Sequence, residues 1–298
     1  MQRTVLIIAG ATASGKTDLA VAIARRFDAE IVSADSRQMY AGMPVGTAAP
    51  NARQLDAVPH HLIGFLDPGE RYSAARFATE ATAIIQHIHQ RNKNAIVVGG
   101  TGFYVRALTG GIELAPQFDE DLRERLALEA RLHPPEFLHE WLMKRDPKRA
   151  GVLAPNDTYR VLRALEVALA PADSLRRTGT LDTLVTAGIP CEKLFLDIPL
   201  HELDERIERR TSQMIQSGLI EEAERIGAGA VAATAVGYPQ ALAYLRGWST
   251  RGELHASLAR ATRRYARRQR SWFRREPDTL WTDRAGIEAL AREKLGAS

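Results

Sequence analysis

The chain has 298 residues, 45% of them hydrophobic and 26% charged, with 22 glycines and 14 prolines. This is ordinary globular usage at about twice the ~150 residues of a typical domain, which excludes fibrous and disordered classes and predicts two domains or one with a large insertion. A single cysteine, Cys191, excludes an internal disulfide and a cysteine-clustered zinc site, and no apolar run approaches the ~18 residues of a membrane span. The expected location is therefore the cytoplasm, with no membrane association.

In chain order, the first signal is the apolar run at 4–9 (TVLIIA), read as a buried strand. It leads into Gly10-Ala11-Thr12-Ala13-Ser14-Gly15-Lys16-Thr17, which fits G-x-x-x-x-G-K-[ST] between a strand and a helix pattern at 16–27. Backbone N–H groups at the positive end of a helix, with the charge of Lys16, suit a diphosphate, and the Thr17 hydroxyl suits Mg²⁺. Nothing in that chemistry requires the diphosphate to belong to ATP.

A second strand at 30–34 ends beside Asp35-Ser36-Arg37-Gln38, and a third at 94–98 ends beside Gly99-Gly100-Thr101-Gly102, with a helix at 73–91 between them. In an open parallel sheet the carboxyl ends of the strands converge on the ligand crevice, so Asp35 and Thr101 are predicted to face what the loop holds. Asp35 equally suits a helix N-cap. No acidic residue follows the third strand, which counts against ATP hydrolysis.

Residues 115–170 are helical, charged and punctuated by Pro134-Pro135, Pro147 and Pro155, and 171–188 reads as a loop returning to a fourth strand at 193–198. The predicted architecture is an α/β parallel-sheet core of the phosphate-loop NTPase type, built from 1–114 and 191–298, with a helical insertion domain at 115–190. Within the insertion, Arg160 and Arg163 share a helix face, either as an anion-binding pair or as ion-pair partners of Asp157 and Glu166.

Helical patterns resume at 203–226 and 252–275. Residues 246–275 hold ten arginines and one acid, a local +9 that leaves −5 for the rest of a chain of net +4. Leu254, Leu258, Ala261, Tyr265 and Trp272 form a predicted core stripe, and Arg263, Arg267, Arg270 and Arg274 a row on another face. Such a row suits a phosphate backbone, and it equally suits a solvated face.

Eight ordered elements together resemble the tRNA dimethylallyltransferase family over nearly the whole chain: GATASGKT (10–17), DSRQMY (35–40), GMPVGTAAP (42–50), PHHLIGFLDPGERYSAARF (59–77), VGGTGFY (98–104), NDTYRVLRALE (156–166), AVGYPQ (235–240) and YARRQRSWFR (265–274). Ala11 stands where that family usually has proline, and Arg270 where an apolar residue is more usual.

The resemblance implies transfer of the dimethylallyl group from dimethylallyl diphosphate, with Mg²⁺, to N6 of the adenine immediately 3′ of the anticodon in tRNAs reading codons that begin with U. It implies that Arg210 adds charge near the diphosphate and that Thr101 positions the acceptor. It places contacts to the tRNA anticodon stem-loop at Asp35, Ser36, Arg37, Gln38, Thr101, Arg123, Tyr159, Arg160, Val161, Leu162 and Arg163. Asp35 is then the expected general base, and a monomer the expected assembly. On the residues alone, a small-molecule kinase and a non-enzymatic RNA-binding protein with a nucleotide site stay open.

Overall fold

The four apolar runs form the middle of a six-stranded, all-parallel sheet in the computed structural model, which describes residues 3–112, 119–170 and 181–296. The strands are β1 (Val5–Gly10), β2 (Ala29–Ser33), β3 (His60–His61), β4 (Asn94–Gly99), β5 (Cys191–Leu196) and β6 (Thr279–Thr282), in the order β3-β2-β4-β1-β5-β6. Every residue of β1, β2 and β4 is buried, which is why they read as unbroken apolar runs. The two edge strands carried too little apolar sequence to be read: His60–His61 is two residues long, and Leu280 in β6 is half exposed.

Between the strands run α1 (Lys16–Arg26), α2 (Pro44–Thr47), α3 (Ala52–Ala57), α4 (Ala74–Gln90) and α5 (Gly102–Leu108). The Ser73 side chain caps α4 by accepting from Arg76 N–H at 3.1 Å, and α4 buries Phe77, Ala81, Ile85 and Ile88 at helical spacing.

Contacts divide the chain into two units, Met1–Ile112 with Asp182–Ser298, and Glu113–Leu181. Residues 182–190, assigned to the insertion by sequence, thus group with the sheet. Leu184 is fully buried and its N–H bonds the Leu108 carbonyl at the end of α5. Of the predicted returning loop, 171–180 lies outside the described residues.

The second unit consists of α6 (Glu120–Leu132), α7 (Pro135–Arg145), α8 (Pro147–Ala150) and α9 (Thr158–Leu169) around a core of its own that includes Leu126, Leu138, Leu142, Val161 and Leu165. The first unit closes with α10 (Leu200–Gln216), α11 (Leu219–Ile226), α12 (Tyr238–Leu245), α13 (Arg251–Phe273) and α14 (Arg284–Leu295). The helix predicted at 203–226 is two, because Gly218 adopts φ 97° between them.

Strand β1 sits at the switch point. Ala9 pairs with Gly99 of β4 on one side and Gly10 with Leu196 of β5 on the other, while Ser33 of β2 pairs with Val98. The chain leaves β1, β2 and β4 at one edge, which brings three turns together: 10–16, 34–40 and 99–102.

Candidate active site

The turn after β1 is wound by two residues in the left-handed region, Ala13 at φ 66° and Gly15 at φ 87°, and closed by Ser14 N–H donating to the Ala11 carbonyl at 3.1 Å. Two donors there are buried or crowded in ways that suit an anion. Ser14 Oγ is buried with no hydrogen-bond partner, and Lys16 Nζ lies 3.4 Å from the Ala11 carbonyl. Burial pushes the Lys16 ammonium down to about 8, with Asp35 opposing and Arg210 adding to the shift. On α10, burial likewise lowers the Arg210 guanidinium against the nearby Asp35 and Tyr265, and its Nε is a second buried donor without a partner. Ala11 and Thr12 are buried, and Thr12 N–H donates to Gln269 Oε1 at 2.8 Å.

Asp35 is held as a turn. Its Oδ1 accepts from Arg37 N–H at 2.9 Å and Gln38 N–H at 3.4 Å, so the capping role is real and occupies one oxygen. Oδ2 makes no hydrogen bond among the described residues. The neighbouring turn is tied to this one by Thr101, whose Oγ1 accepts from Ser36 N–H at 3.0 Å and donates to Ser36 Oγ at 3.2 Å. The Thr101 N–H reaches the Ala34 carbonyl, and the approach is so close that a Cβ on Gly99 would overlap that carbonyl. The glycine before Gly100-Thr101 is therefore needed for the two turns to meet. Gln38 Nε2 reaches on to the Ala48 carbonyl at 3.1 Å.

These groups face a cavity of about 380 Å³ lined by Thr12, Lys16, Thr17, Asp35 to Gln38, Gly46 to Ala48, Gly100 to Phe103 and Arg210. Its remaining wall has an apolar part, made by Met214, Val236, Leu258, Tyr265 and Trp272, beside the polar Thr234, Thr262, Arg268 and Gln269. The site thus holds a cationic, N–H-rich floor for an anion, an apolar wall, and a carboxylate and hydroxyls across from them. Thr17 offers one hydroxyl, and no group of three His, Cys, Asp or Glu side chains among the described residues could cage a metal. That donor set fits a Mg²⁺ carried by a diphosphate, which keeps most of its ligands from phosphate and water.

Helix α13 supplies part of the wall. Tyr265 and Trp272, predicted for the core stripe, line the cavity together with Arg268 and the buried Gln269, while Ala266 and Phe273 are buried on the same stretch. Burial pushes the Tyr265 phenol up, and Asp35 acts in the same direction against Arg37, Arg268 and a hydrogen bond with Thr101. The arginine row is also broken up. Arg263 bonds Glu208 and lies 3.4 Å from Asp204, Arg270 bonds Asp197 at 2.5 Å, and Arg274 lies over the Trp281 ring. Of the row, Arg267 and Arg274 are exposed and carry no ion pair among the described residues. The pairing with Asp197 also accounts for a charged residue at 270, since it joins α13 to the end of β5.

In the second unit, Glu166 is buried and binds both Arg123 (3.4 Å) and Arg163 (2.6 Å), while Arg160 pairs with Asp157 at 3.1 Å. Tyr159 is 73% exposed on the first turn of α9. Val161 is fully buried, and the partly buried Leu162 packs against the same core, so these two side chains hold α9 in place.

The sheet order, the glycine-lysine loop and the cavity at the carboxyl edge define a phosphate-loop α/β protein with a helical insertion. More narrowly, a family model described as IPP transferase matches residues 38–276, and the chain belongs to that family. A tRNA dimethylallyltransferase of Anaeromyxobacter dehalogenans is 43% identical over 295 residues, covering 96% of this chain and 97% of that one. One from Geobacter sulfurreducens is 38% identical, covering 93% and 91%. The solved tRNA isopentenylpyrophosphate transferase of Bacillus halodurans superposes with a TM-score of 0.71 at 36% identity, covering 99% of this chain and 97% of that one. A eukaryotic dimethylallyltransferase solved acting on tRNA shares the fold, with a TM-score of 0.75 at 24% identity, covering 95% of this chain and 74% of that one.

Proposed function

We propose that this protein is a tRNA dimethylallyltransferase. It moves the dimethylallyl group of dimethylallyl diphosphate to N6 of the adenine immediately 3′ of the anticodon in tRNAs reading codons that begin with U. The observation that carries the reading is the meeting, in one cavity, of the phosphate loop, the free oxygen of Asp35 and the apolar wall, in a chain whose relatives bear that name.

An adenine amine is a weak nucleophile because its lone pair is delocalised into the ring. As N6 attacks the allylic carbon, the C–N bond forms and the C–O bond to the diphosphate breaks, its electron pair leaving with the diphosphate. Asp35 Oδ2 takes the N6 proton, which requires it to come within about 2.6–3.2 Å of the amine. Loop N–H groups, Lys16 and Arg210 stabilise the charge that grows on the leaving group. Thr17 would hold Mg²⁺, which supplies further charge neutralisation there when bound. The base must be drawn out of the anticodon-loop stack to reach this cavity. Tyr159 and Arg160 on α9 offer an exposed ring and guanidinium for that loop, and Arg123 and Arg163 offer a pair gathered by Glu166.

The test is incubation of unmodified tRNA with labelled dimethylallyl diphosphate and Mg²⁺, with ATP as the comparison donor. Label entering tRNA from the allylic donor alone is expected. ATP-dependent phosphorylation of a small acceptor, or tRNA binding with no product, would replace the proposal with a kinase or a binding protein.

A further inference from the structure

Gln269 lies on α13, 5% exposed, and both ends of its amide are bound. Its Oε1 accepts from Thr12 N–H at 2.8 Å, and its Nε2 donates to the Gly100 carbonyl at 2.9 Å. Only this orientation of the amide satisfies both partners, since Thr12 presents a donor and Gly100 an acceptor. The fit is tight enough that a Cβ on Gly100 would overlap Nε2.

The two partners belong to different halves of the chemistry. Thr12 is part of the phosphate loop. Gly100 precedes Thr101, which ties its turn to Asp35-Ser36 through the Ser36 N–H and hydroxyl. The Thr12 N–H is spent on Gln269 and so is not offered to an anion, and the glutamine, at the cavity wall, has both ends of its amide committed to the two turns. It spans the turn that holds the leaving group and the turn that holds the acceptor and its base.

We infer that Gln269 is a positioning residue for the transfer: its amide sets the separation between the diphosphate loop and the Gly100-Thr101 turn, and so the line of attack. The inference rests on the transfer reaction proposed above. Rates of this kind are sensitive to such spacing, a misplacement of about 1 Å costing on the order of 100-fold.

Two variants test it. Gln269→Met keeps the length of the side chain and removes both bonds. At saturating donor and tRNA, kcat is expected to fall about 100-fold while both KM values stay within about 3-fold, because the bonds removed are to the protein's own turns. Gln269→Glu gives a signature that a purely structural role would not. As a neutral acid it donates to Gly100 and accepts from Thr12 like the amide, whereas as a carboxylate it repels the Gly100 carbonyl. Burial raises the pKa of such an acid, so the ratio of variant to wild-type kcat should climb about tenfold between about pH 8 and pH 6.

Wild-type kcat in the methionine variant, a loss confined to the donor KM, or a ratio that is flat with pH would each overturn the role. If the methionine variant fails to fold by near-UV circular dichroism, the pH ratio of the glutamate variant decides. Absence of transfer by the wild-type chain sinks the functional reading itself, whereas transfer by wild type with undisturbed variants sinks only the role of Gln269.

Discussion

Burial takes the Lys16 ammonium from its ordinary 10.5 down to about 8, so above that pH the empty phosphate loop holds a neutral amine. An anion beside it favours the charged form and pulls the value back up. Well below that, at about pH 6, the lysine is charged with or without ligand, and binding inorganic pyrophosphate should move no proton at this group. At about pH 9 binding should take up a proton, up to one per site, read by calorimetry in two buffers of different ionisation heat. Lys16→Met should abolish the uptake, and an uptake that survives the substitution assigns it elsewhere.

Asp35 makes the companion case. Asp35→Ala is expected to leave tRNA affinity near wild type and lower turnover by about 100- to 10,000-fold, the range of a lost general base. Unchanged turnover would remove it from the chemistry. Both residues were legible in sequence because each follows an unmistakable strand, Asp35 two positions after β2 and Lys16 at the end of the glycine-rich motif that leaves β1. Gln269 and Tyr265 were not. Their roles come from partners more than 160 residues away, and periodicity alone cannot tell a core position from a cavity wall.

At the scale of elements, α2 shows how a segment with little helical sequence is held. Four residues long, it is clamped by Glu222 of α11, whose carboxylate accepts from Val45 N–H at 2.9 Å, Gly46 N–H at 2.6 Å and the Tyr238 hydroxyl at 2.7 Å. Glu222 is 3% exposed, and the Tyr238 phenol is pushed up by burial and by this carboxylate. The clamp holds the backbone that runs on to Ala48, the acceptor for Gln38. Glu222→Ala strands two buried donors and a part-buried one and should cost about 3 kcal/mol, lowering Tm by roughly 6–12 °C. Glu222→Gln, which keeps an acceptor oxygen, should fall between. Equal Tm values for wild type and the alanine variant would show that α2 is held by other contacts. The motifs GMPVGTAAP and AVGYPQ are each visible in the sequence, but nothing local says that a carboxylate between them binds both.

At the scale of the whole molecule, the +9 of residues 246–275 is not a uniform surface. The acidic remainder of the chain comes back to meet it: Asp204 and Glu208 take up Arg263, and Asp197 takes up Arg270. Among the arginines left to solvent, Arg260, Arg264 and Arg267 recur at four and three residues on one face of α13 and carry no ion pair among the described residues. Counterion release gives this division a measurable form. Each lost phosphate contact should reduce the slope of log affinity against log salt by about 0.7–0.9. Replacing Arg264 and Arg267 together by Gln should therefore weaken tRNA binding at low salt and flatten the slope by up to roughly 1.4–1.8. Arg263→Gln should leave the slope unchanged and lower thermal stability instead, because it uncouples α13 from α10. A slope that flattens equally for both substitutions would mean that Arg263 leaves its carboxylates to meet RNA, and that the pairing seen here is a resting arrangement of the same basic row.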